Sequence, residues 1–418
     1  MESLTRKVII VGGGFGGVRT ALDLKKKSHP DLEVLLVSDK PYLEYHPSLY
    51  RVVSGEPYSR VRLPLEQIFS GTRVKVIEER INQLDLENKT ITGVSGSRYE
   101  YDFLVLALGS QTTFFEIPGL SQLSFPLKTI SDALRLNTHL RELFRTRRES
   151  IEEDVEDIEE EEDVQRIHSK HIVIIGGGET GTELAGQLAV YTKDLAKMNE
   201  IDPSQITIDL IDSGTRVLKR LPENISRKVH RRLRLLDVNI FLNRRVVREE
   251  IRNIYLKDMT LKTLTVVWAA GVQPNDLYAR TKGLSLDERK RVLVDEFLQP
   301  GGLQDIFVIG DGGSTPYSGT AQNAISQGRY VADIIFRSIS GKTLFPFVHK
   351  EPAHAIPVGP KWAAVKIGRL RLYGRLGWWL RELATFRFFI SMLPPGKAWA
   401  FMIKRQRDFS LPPRDRGT

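Results

Sequence analysis

Two short apolar runs, each followed by a glycine-rich turn, organise the first two thirds of the chain. Residues 8–11 (VIIV) precede GGGFGG, and residues 172–175 (IVII) precede GGGETG. After each turn comes a helical pattern and then a second apolar run, at 34–37 and at 206–211. Short continuous apolar runs are typical of parallel strands that are buried on both faces. The pattern therefore predicts an α/β fold with two β–α–β units.

Other segments complete the predicted order of elements. Residues 132–147 have the spacing of an amphipathic helix, and an acidic run at 152–163 follows, which we interpret as a solvated insertion. Residues 306–311 (IFVIGD) predict another buried strand ending in Gly-Asp, and residues 321–336 predict a helix. From residue 345 the chain becomes basic, aromatic and rich in proline.

Composition narrows the function classes. A length of 418 residues with 41% hydrophobic content suits two or three globular domains. The absence of Cys excludes disulfide scaffolds, thiolate metal sites, iron–sulfur clusters and catalytic thiol relays, and no metal site is predicted. The few polar residues before the first strand leave no room for a signal peptide, so we expect synthesis and residence in the cytosol.

The net charge of +9 is unevenly distributed. Residues 152–163 hold ten acids and no base, whereas residues 361–407 hold eleven bases and one acid. A basic tail predicts an anionic surface as a partner. No nucleic-acid-binding motif accompanies the charge, so nucleic acid is not an expected partner.

Both glycine turns have the spacing Gly-x-Gly-x-x-Gly, at Gly12, Gly14 and Gly17 and at Gly176, Gly178 and Gly181. The first glycine allows the tight turn, the second lets a pyrophosphate approach the backbone, and the third lets helix and strand pack closely. The pyrophosphate then meets the positive end of a helix. Two such turns, each between strand and helix, predict two bound dinucleotides.

An acidic residue at the end of the next strand normally holds the adenosine ribose. Asp212 fills that place in the second unit, and its charge favours NADH over NADPH, while Arg216 nearby leaves NADPH open. In the first unit we assign the ribose contact to Asp39, with Ser38 as the alternative. Either residue also fits an ordinary turn.

Six motifs carry a resemblance to a known family: GGGFGG at 12–17, YDFLVLALG at 101–109, IPG at 117–119, the second glycine turn with Glu183, WAAGV at 268–272, and IGD at 309–311 followed by AQ at 321–322. With these, the chain from residue 8 to about 337 resembles the type II NADH:quinone oxidoreductases, which are flavoproteins with two dinucleotide-binding domains. The resemblance implies two Rossmann-type domains: an FAD domain in two parts (1–120 and 296–344), interrupted by an NAD domain (121–295) that contains the acidic insertion 151–163. A C-terminal amphipathic, membrane-associating region (345–418) follows.

The motifs and the resemblance together give the candidate site residues. Those expected to bind FAD are Gly12, Gly14, Phe15, Gly17, Ser38, Asp39, Ala107, Gly109, Gly310, Asp311, Ala321 and Gln322. Those expected to bind NAD are Gly176, Gly178, Glu179, Thr180, Gly181, Asp212, Ala270 and Gly271. The resemblance also implies three candidate catalytic residues: Glu183 near the stacked nicotinamide and flavin rings, and Gln322 and Gln327 at the quinone edge of the flavin.

Some positions favour a second interpretation or depart from the family. Glu183, early in a helix, could instead suit only the helix dipole. Ser326 stands where the family usually has the first of two adjacent glutamines, Gly312 stands where it has Cys, and Ser38 stands where it has an acid. These departures bear on the quinone more than on the flavin.

The C-terminal segment predicts a helix that lies in a membrane interface. It holds four of the five tryptophans (Trp362, Trp378, Trp379 and Trp399), an apolar stripe at helical spacing (Trp379, Leu383, Phe386, Ile390 and Leu393) and cationic flanks (Arg381, Arg387 and Lys397). The longest uncharged stretch, 388–396, is far shorter than the roughly 20 residues that span a bilayer. In the alternative interpretation, the stripe packs on the protein's own core or on a second subunit of a homodimer.

The resemblance therefore implies an FAD-dependent, non-proton-pumping NADH:quinone oxidoreductase, peripheral on the cytoplasmic side of the cell membrane. Hydride would pass from NADH to FAD, and two electrons would then pass to a membrane quinone. The absence of Cys excludes sulfide:quinone oxidoreductases and disulfide reductases, which need thiols. Two alternatives stay open: a soluble NADH-dependent reductase of a small electron-carrier protein, and an NADH-responsive flavin-binding signalling protein.

Overall fold

The computed structural model describes residues 5–27, 31–145 and 170–393, together with 396, 398 and 399. The acidic run at 152–163 and Lys397 lie outside the described residues. Within them, the helices are α1 (Phe15–Lys27), α2 (Leu49–Val53), α3 (Leu65–Phe69), α4 (Leu120–Leu123), α5 (Ile130–Leu143), α6 (Glu179–Met198), α7 (Glu223–Arg234), α8 (Leu277–Arg280), α9 (Ala321–Ile339) and α10 (Gly374–Met392).

The strands are β1 (Arg6–Val11), β2 (Leu32–Ser38), β3 (Tyr42–Glu44), β4 (Arg62–Pro64), β5 (Lys75–Glu78), β6 (Ile81–Asp85), β7 (Thr90–Gly93), β8 (Arg98–Glu100), β9 (Phe103–Leu106), β10 (Ser110–Thr112), β11 (Phe125–Pro126), β12 (His171–Ile175), β13 (Thr207–Ile211), β14 (Val238–Phe241), β15 (Val246–Glu250), β16 (Asn253–Leu256), β17 (Thr260–Lys262), β18 (Thr265–Trp268), β19 (Val272–Pro274), β20 (Ile306–Val308), β21 (His354–Pro357), β22 (Ala363–Ile367) and β23 (Leu370–Leu372).

Two five-stranded sheets form the framework. The first has the order β20-β9-β1-β2-β5 and the second β11-β18-β12-β13-β14, and neighbouring strands in both are parallel. The chain completes the second sheet before β20 returns to the first. This confirms the predicted fold class, in which one Rossmann-type domain interrupts the other. The residue numbers at which we divide the domains stay a prediction.

The apolar runs form strands because both faces of each sheet are covered. Ile9 and Ile10 point to opposite faces of β1, and both are fully buried. On one face α1 packs closely against α9, where a side chain at Gly328 would lie only 2.5 Å from the Gly16 carbonyl oxygen. That contact fixes the first glycine turn beside the start of α9.

The predicted helix at 132–147 begins earlier than expected, because Thr129 caps it. The Thr129 hydroxyl accepts a hydrogen bond from the Asp132 N–H, and the Asp132 carboxylate accepts one from the Thr129 N–H. This reciprocal pair is a capping box, which satisfies two backbone donors at the start of α5.

The C-terminal region contains an element that the sequence interpretation missed. Strands β21, β22 and β23 form an antiparallel sheet, and its connecting loop packs on α6 so closely that a side chain at Gly186 would lie 2.7 Å from Gly359 N. Helix α10 follows and contacts the first domain. Within the described part of the chain, no helix is long and apolar enough to cross a membrane.

Candidate functional site

The first glycine turn follows β1 at the carboxyl edge of its sheet. Gly12 has a φ of +117°, and a side chain there would overlap the Ala107 carbonyl oxygen. A side chain at Gly17 would overlap the Gly12 carbonyl oxygen, so this glycine lets α1 approach the strand. At Gly14, in contrast, an added Cβ would meet nothing within 4 Å. The space above Gly14, at the start of α1, fits an approaching pyrophosphate.

The second glycine turn repeats this arrangement after β12. Gly176 has a φ of +114°, and a side chain there would lie 2.7 Å from the Ala269 carbonyl oxygen. A side chain at Gly181 would overlap the Gly176 carbonyl oxygen, while Gly178 faces open space. The turns 12–17 and 176–181 therefore have the same shape and lie at the amino ends of α1 and α6; we call them the first and the second cradle.

Asp212 lies at the end of β13, where the sequence predicts the ribose contact. Its two carboxylate oxygens accept hydrogen bonds from Gly177 N and Gly214 N, both at 2.6 Å, which hold the carboxylate beside the turn. The Arg216 guanidinium donates to the backbone oxygens of Leu218 and Lys219 at 3.2 and 2.8 Å. Arg216 is thus held by its own loop, which favours Asp212 as the residue that decides between NADH and NADPH.

In the first unit the register favours Ser38 over our first choice, Asp39. Gly12 N donates to Val37 O just as Gly176 N donates to Ile211 O, so Ser38 is the counterpart of Asp212. Ser38 is buried, and its hydroxyl donates to Lys40 O at 2.8 Å, while Asp39 is exposed one residue beyond. The sequence alone could not fix this register, because Ser38 and Asp39 are adjacent and both polar.

A polar cluster surrounds Asp311, which follows β20 and the Gly310 turn. The Ser110 hydroxyl donates to Asp311 Oδ2 at 2.5 Å, and Lys128 Nζ donates to the Ser110 hydroxyl at 2.9 Å. Lys128 Nζ also lies 3.9 Å from Asp311 Oδ2. The cluster thus lies beside the end of β20. No motif indicated Ser110 or Lys128, which come from other segments of the chain.

A second cluster near the first turn was also missed. Glu44 Oε2 accepts from Lys40 Nζ at 2.9 Å and lies 3.4 Å from His46 Nε2, while Glu44 Oε1 accepts from Ile130 N at 3.1 Å. Burial raises the pKa of Glu44, but these hydrogen bonds outweigh it and lower the pKa to about 2. Burial lowers the pKa of His46, whose ring lies 5.9 Å from that of Phe15. At neutral pH the pair is therefore an ionised carboxylate and a neutral imidazole.

A two-stranded ribbon joins the two cradles. Gly109 leads into β10 and Gly271 leads into β19, and the two strands pair antiparallel from Ser110 with Pro274 to Thr112 with Val272. The remaining expected contact residues lie along these edges: Ala107 and Gly109 after β9, Ala270 and Gly271 after β18, Thr180 exposed in the first turn of α6, and Ala321 at the start of α9. The fold thus brings both sets of predicted residues to adjoining edges.

Gln322 and Gln327 lie on α9 but differ in their surroundings. Gln322 is exposed, and its amide exchanges two hydrogen bonds of 3.0 Å with the backbone of Ala353. Gln327 is fully buried, where its Oε1 accepts from Gly310 N at 2.7 Å and its Nε2 donates to Thr315 Oγ1 at 3.0 Å. The structure therefore does not place Gln327 at an exposed quinone edge; its amide is used to fix the Gly310 turn.

Glu183 is half-buried in the first turns of α6, where the charges of Arg381 on α10 and Arg51 on α2 act on it. Burial raises the pKa of Glu183 well above its usual range; Arg381 and Arg51 lower it in part, and Glu179 raises it further. Glu179 itself lies 2.7 Å from His354 Nδ1, so strand β21 also contacts the second cradle.

Helix α10 turns most of the predicted apolar stripe outward. Trp379 is 66% exposed and Leu383 is 60% exposed, and Ile390 is exposed on the same face. Phe386 is half-buried, and Leu393 is buried and does not belong to the stripe. The interpretation that this stripe packs on the protein's own core is therefore wrong for Trp379, Leu383 and Ile390.

Arg381, expected as a cationic flank, lies on the buried face of α10. It is 4% exposed and donates to Pro47 O at 2.7 Å, Ser48 Oγ at 3.0 Å and Thr385 Oγ1 at 2.9 Å. Its charge is thus used within the fold, while Arg387 is exposed as predicted. Helix α10 thus has a polar anchor on its buried face and an apolar stripe on its exposed face.

Comparisons with known proteins agree with this geometry. A family model described as pyridine nucleotide-disulphide oxidoreductase matches residues 6–328. The type II NADH:quinone oxidoreductase NdhA of Mycobacterium tuberculosis is 28% identical over 402 residues, covering 90% of this chain and 82% of the relative. The type II NADH:quinone oxidoreductase of Haemophilus influenzae is 29% identical over 372 residues, covering 83% of each.

Solved structures share the fold. NDH2 from Plasmodium falciparum in complex with NADH superposes with a TM-score of 0.83 at 18% identity, covering 97% of this chain and 98% of that chain. The sulfide:quinone oxidoreductase from Aquifex aeolicus superposes with a TM-score of 0.74 at 19% identity, covering 92% and 90%. The first of these likenesses extends beyond residue 328, where the family model ends.

Proposed function

The chain belongs to the pyridine nucleotide-disulphide oxidoreductase family, and from this premise we propose that it is an FAD-dependent NADH:quinone oxidoreductase that works at a membrane surface. The single observation that carries the proposal is the pair of matching cradles at Gly14 and Gly178, whose open faces lie at adjoining sheet edges. The names of relatives that cover most of the chain support NADH as the donor and a quinone as the acceptor.

Each cradle suits one nucleotide. The first, with the Asp311 cluster beside it, fits FAD, since a carboxylate at the end of β20 can accept from ribityl hydroxyls. The second, with Asp212 beside it, fits NADH, because a carboxylate there repels the 2′-phosphate of NADPH. When bound, FAD would supply the redox chemistry that connects hydride transfer from NADH to two-electron reduction of the quinone.

The chain's own groups prepare the space between the cradles. The raised pKa of Glu183 favours the protonated form of its carboxyl group, which could donate a proton when negative charge develops nearby. Gln327 fixes the Gly310 turn and, through it, the position of Asp311. Lys128 Nζ lies 3.9 Å from Asp311 Oδ2, and its positive charge would offset negative charge that develops beside this cluster.

The absence of Cys limits how the flavin can be attached and which acceptors can be reduced. No thioether link to FAD and no thiol relay to sulfur or disulfide substrates can form. We therefore expect acid or heat to release free FAD from the yellow protein. Flavin that stays with the precipitated chain would contradict noncovalent binding, and a colourless protein unable to take up FAD would contradict the whole assignment.

Steady-state and half-reaction kinetics test the function. The purified FAD-loaded protein should be reduced by NADH faster than by NADPH, and a short-chain quinone should reoxidise it within catalytic turnover. A ferredoxin-type carrier is the matched acceptor control. Turnover with the carrier but not with quinone would establish the carrier reductase instead, and flavin reduction without turnover on either acceptor would establish a sensor.

We also propose that the outer face of α10 docks the enzyme on the cytoplasmic face of the membrane. The exposed Trp379, Leu383 and Ile390 suit the headgroup boundary, where aromatic and aliphatic side chains bury reversibly. Truncation before Trp378 is a poor test, because it would also remove the buried anchor Arg381. The double substitution Trp379→Gln, Leu383→Gln leaves that anchor in place.

This double variant should lose binding to liposomes and turn over lipophilic quinones slowly, while a water-soluble quinone is still reduced. The control replaces two exposed apolar side chains elsewhere, Val94 and Ile251, by Gln. If liposome binding is unchanged and a wild-type dimer instead dissociates in the variant, the stripe is a subunit interface and the docking proposal fails.

A further inference from the structure

A cavity of about 570 Å³ lies where α1, α9 and α10 meet, on the side of the molecule that carries the outer face of α10. Three helices supply its walls, and charged groups predominate: Arg19, Asp23, Lys26, Lys27, Arg329, Asp333, Ile390 and Ser391. None of these residues belongs to the two nucleotide cradles.

Ion pairs and a hydrogen bond hold the floor of the cavity together. The Arg19 guanidinium is almost fully buried; it forms a two-point pair with Asp23 and also donates to Ser391 O at 2.8 Å. Arg19 therefore connects α1 to the C-terminal end of α10. Asp333 also forms ion pairs within the protein, because Lys27 Nζ and Arg337 Nε each lie 2.6 Å from one of its carboxylate oxygens.

The rim carries positive charge that these pairs do not neutralise. The lining holds four cations and two carboxylates. Lys26 is mostly exposed, with its Nζ 3.7 Å from Asp23 Oδ1. Arg329 is exposed and has no ion-pair partner among the residues that the structure describes. An anion with several acceptor oxygens would complete hydrogen bonds to both side chains.

The cavity is continuous with an apolar surface. Ile390, which lines it, is the last exposed member of the stripe that begins at Trp379 and passes Leu383 on α10. A ligand that joins an anionic group to long apolar chains would therefore match both surfaces at once. Inorganic phosphate or a soluble nucleotide would match only the cavity.

We propose that this cavity is a binding site for the phosphate headgroup of an anionic phospholipid, whose acyl chains lie along the stripe of α10. The inference rests on the proposed membrane docking and deepens it, because it names the lipid class and the residues that select it. Lys26 and Arg329 hold the phosphate oxygens, and the Arg19–Asp23 pair keeps the cavity open.

Vesicle flotation with the full-length, FAD-loaded protein tests the site. Vesicles contain phosphatidylcholine alone or with phosphatidylglycerol. The test variant is Lys26→Gln, Arg329→Gln, and the charge-matched control is Lys282→Gln, Arg289→Gln, whose side chains are exposed between α8 and β20. At roughly fivefold per basic residue near a lipid surface, the first pair should weaken binding to phosphatidylglycerol vesicles about 30-fold. The control pair should keep wild-type binding, and both should bind phosphatidylcholine equally.

Several outcomes overturn the proposal. Equal losses in both pairs would assign the effect to overall charge. Release of wild-type protein from the vesicles by excess inorganic phosphate at matched ionic strength would make the cavity a free-phosphate site. The docking proposal fails separately: a wild-type protein that binds neither vesicle refutes docking, whereas one that binds both compositions equally refutes only the lipid site. Unchanged thermal unfolding of the variants confirms that the comparison is between folded proteins.

Discussion

The Gln327→Leu substitution gives the sharpest test of how the fold supports the flavin site. Leucine has a similar size but cannot accept from Gly310 N or donate to Thr315 Oγ1, and Gln327 is fully buried. The Thr315 hydroxyl keeps Ser318 as a partner at 3.1 Å, so the main loss is a buried, unpaired Gly310 N–H. Such a group costs about 1–3 kcal/mol, and the lost hydrogen bonds add about 1 kcal/mol.

We therefore expect Gln327→Leu to lower the free energy of unfolding by about 2–4 kcal/mol. Gly310 has a φ of +72° and precedes Asp311, so a relaxed turn also moves the carboxylate that we propose to hold the flavin. Loss of one hydrogen bond to a charged group costs about 1.5–3 kcal/mol, or roughly 10-fold to 150-fold in FAD affinity. Both half-reactions should then slow together at limiting FAD.

The assay combines urea unfolding, FAD titration of the apoprotein and stopped-flow measurement of each half-reaction. Gln322→Leu on the same helix is the matched control for the urea unfolding only, because its two hydrogen bonds to Ala353 are exposed and should be worth less than about 1 kcal/mol. If Gln327→Leu keeps wild-type stability and FAD affinity but slows only reoxidation by quinone, Gln327 acts at the quinone edge and our structural interpretation is refuted.

Three further outcomes follow from the site. Asp212→Ala should narrow the ratio of kcat/KM for NADH over NADPH, and equal use of both cofactors by the wild type would show that Asp212 does not select. Burial raises the pKa of Glu249 to about 8, and its Oε2 has no hydrogen-bond partner among the described atoms. Because the folded pKa lies above the unfolded value of 4.5, the folded state binds the extra proton, and stability falls as pH rises from 4.5 to 8 by up to roughly 5 kcal/mol. Glu249→Gln should remove this loss, so its stability gain over wild type in urea should be larger at pH above 8 than at pH below 5; a gain independent of pH would contradict the shift. His354→Ala leaves the Glu179 carboxylate near the second cradle without its hydrogen-bond partner. The KM for NADH should then rise roughly twofold to fivefold. Adding Glu179→Gln to this variant should restore the wild-type KM.

Local pattern was sufficient for the framework. Strands β1, β2, β12 and β13 lie within a residue or two of the apolar runs that predicted them, because a parallel strand covered on both faces needs continuous apolar side chains. The two glycine turns were equally predictable, since each requirement (a positive φ, an open face and a close helix) acts on residues at most five positions apart.

The two β–α–β units, their glycine cradles, the carboxylate at Asp212 and the exclusion of thiol chemistry can thus be read from local sequence and composition. Which polar residues surround the cradles, and which face of α10 is outward, depends on how distant segments pack. The sequence predicts that Arg381 is a surface charge, but the residue is buried. Its guanidinium finds hydrogen-bond acceptors on Pro47 and Ser48, more than 300 residues earlier in the chain. Lys128 reaches Asp311, and Gln327 reaches Gly310, for the same reason: a hydrogen bond depends on positions in space that distant segments fix together, and no local period encodes them.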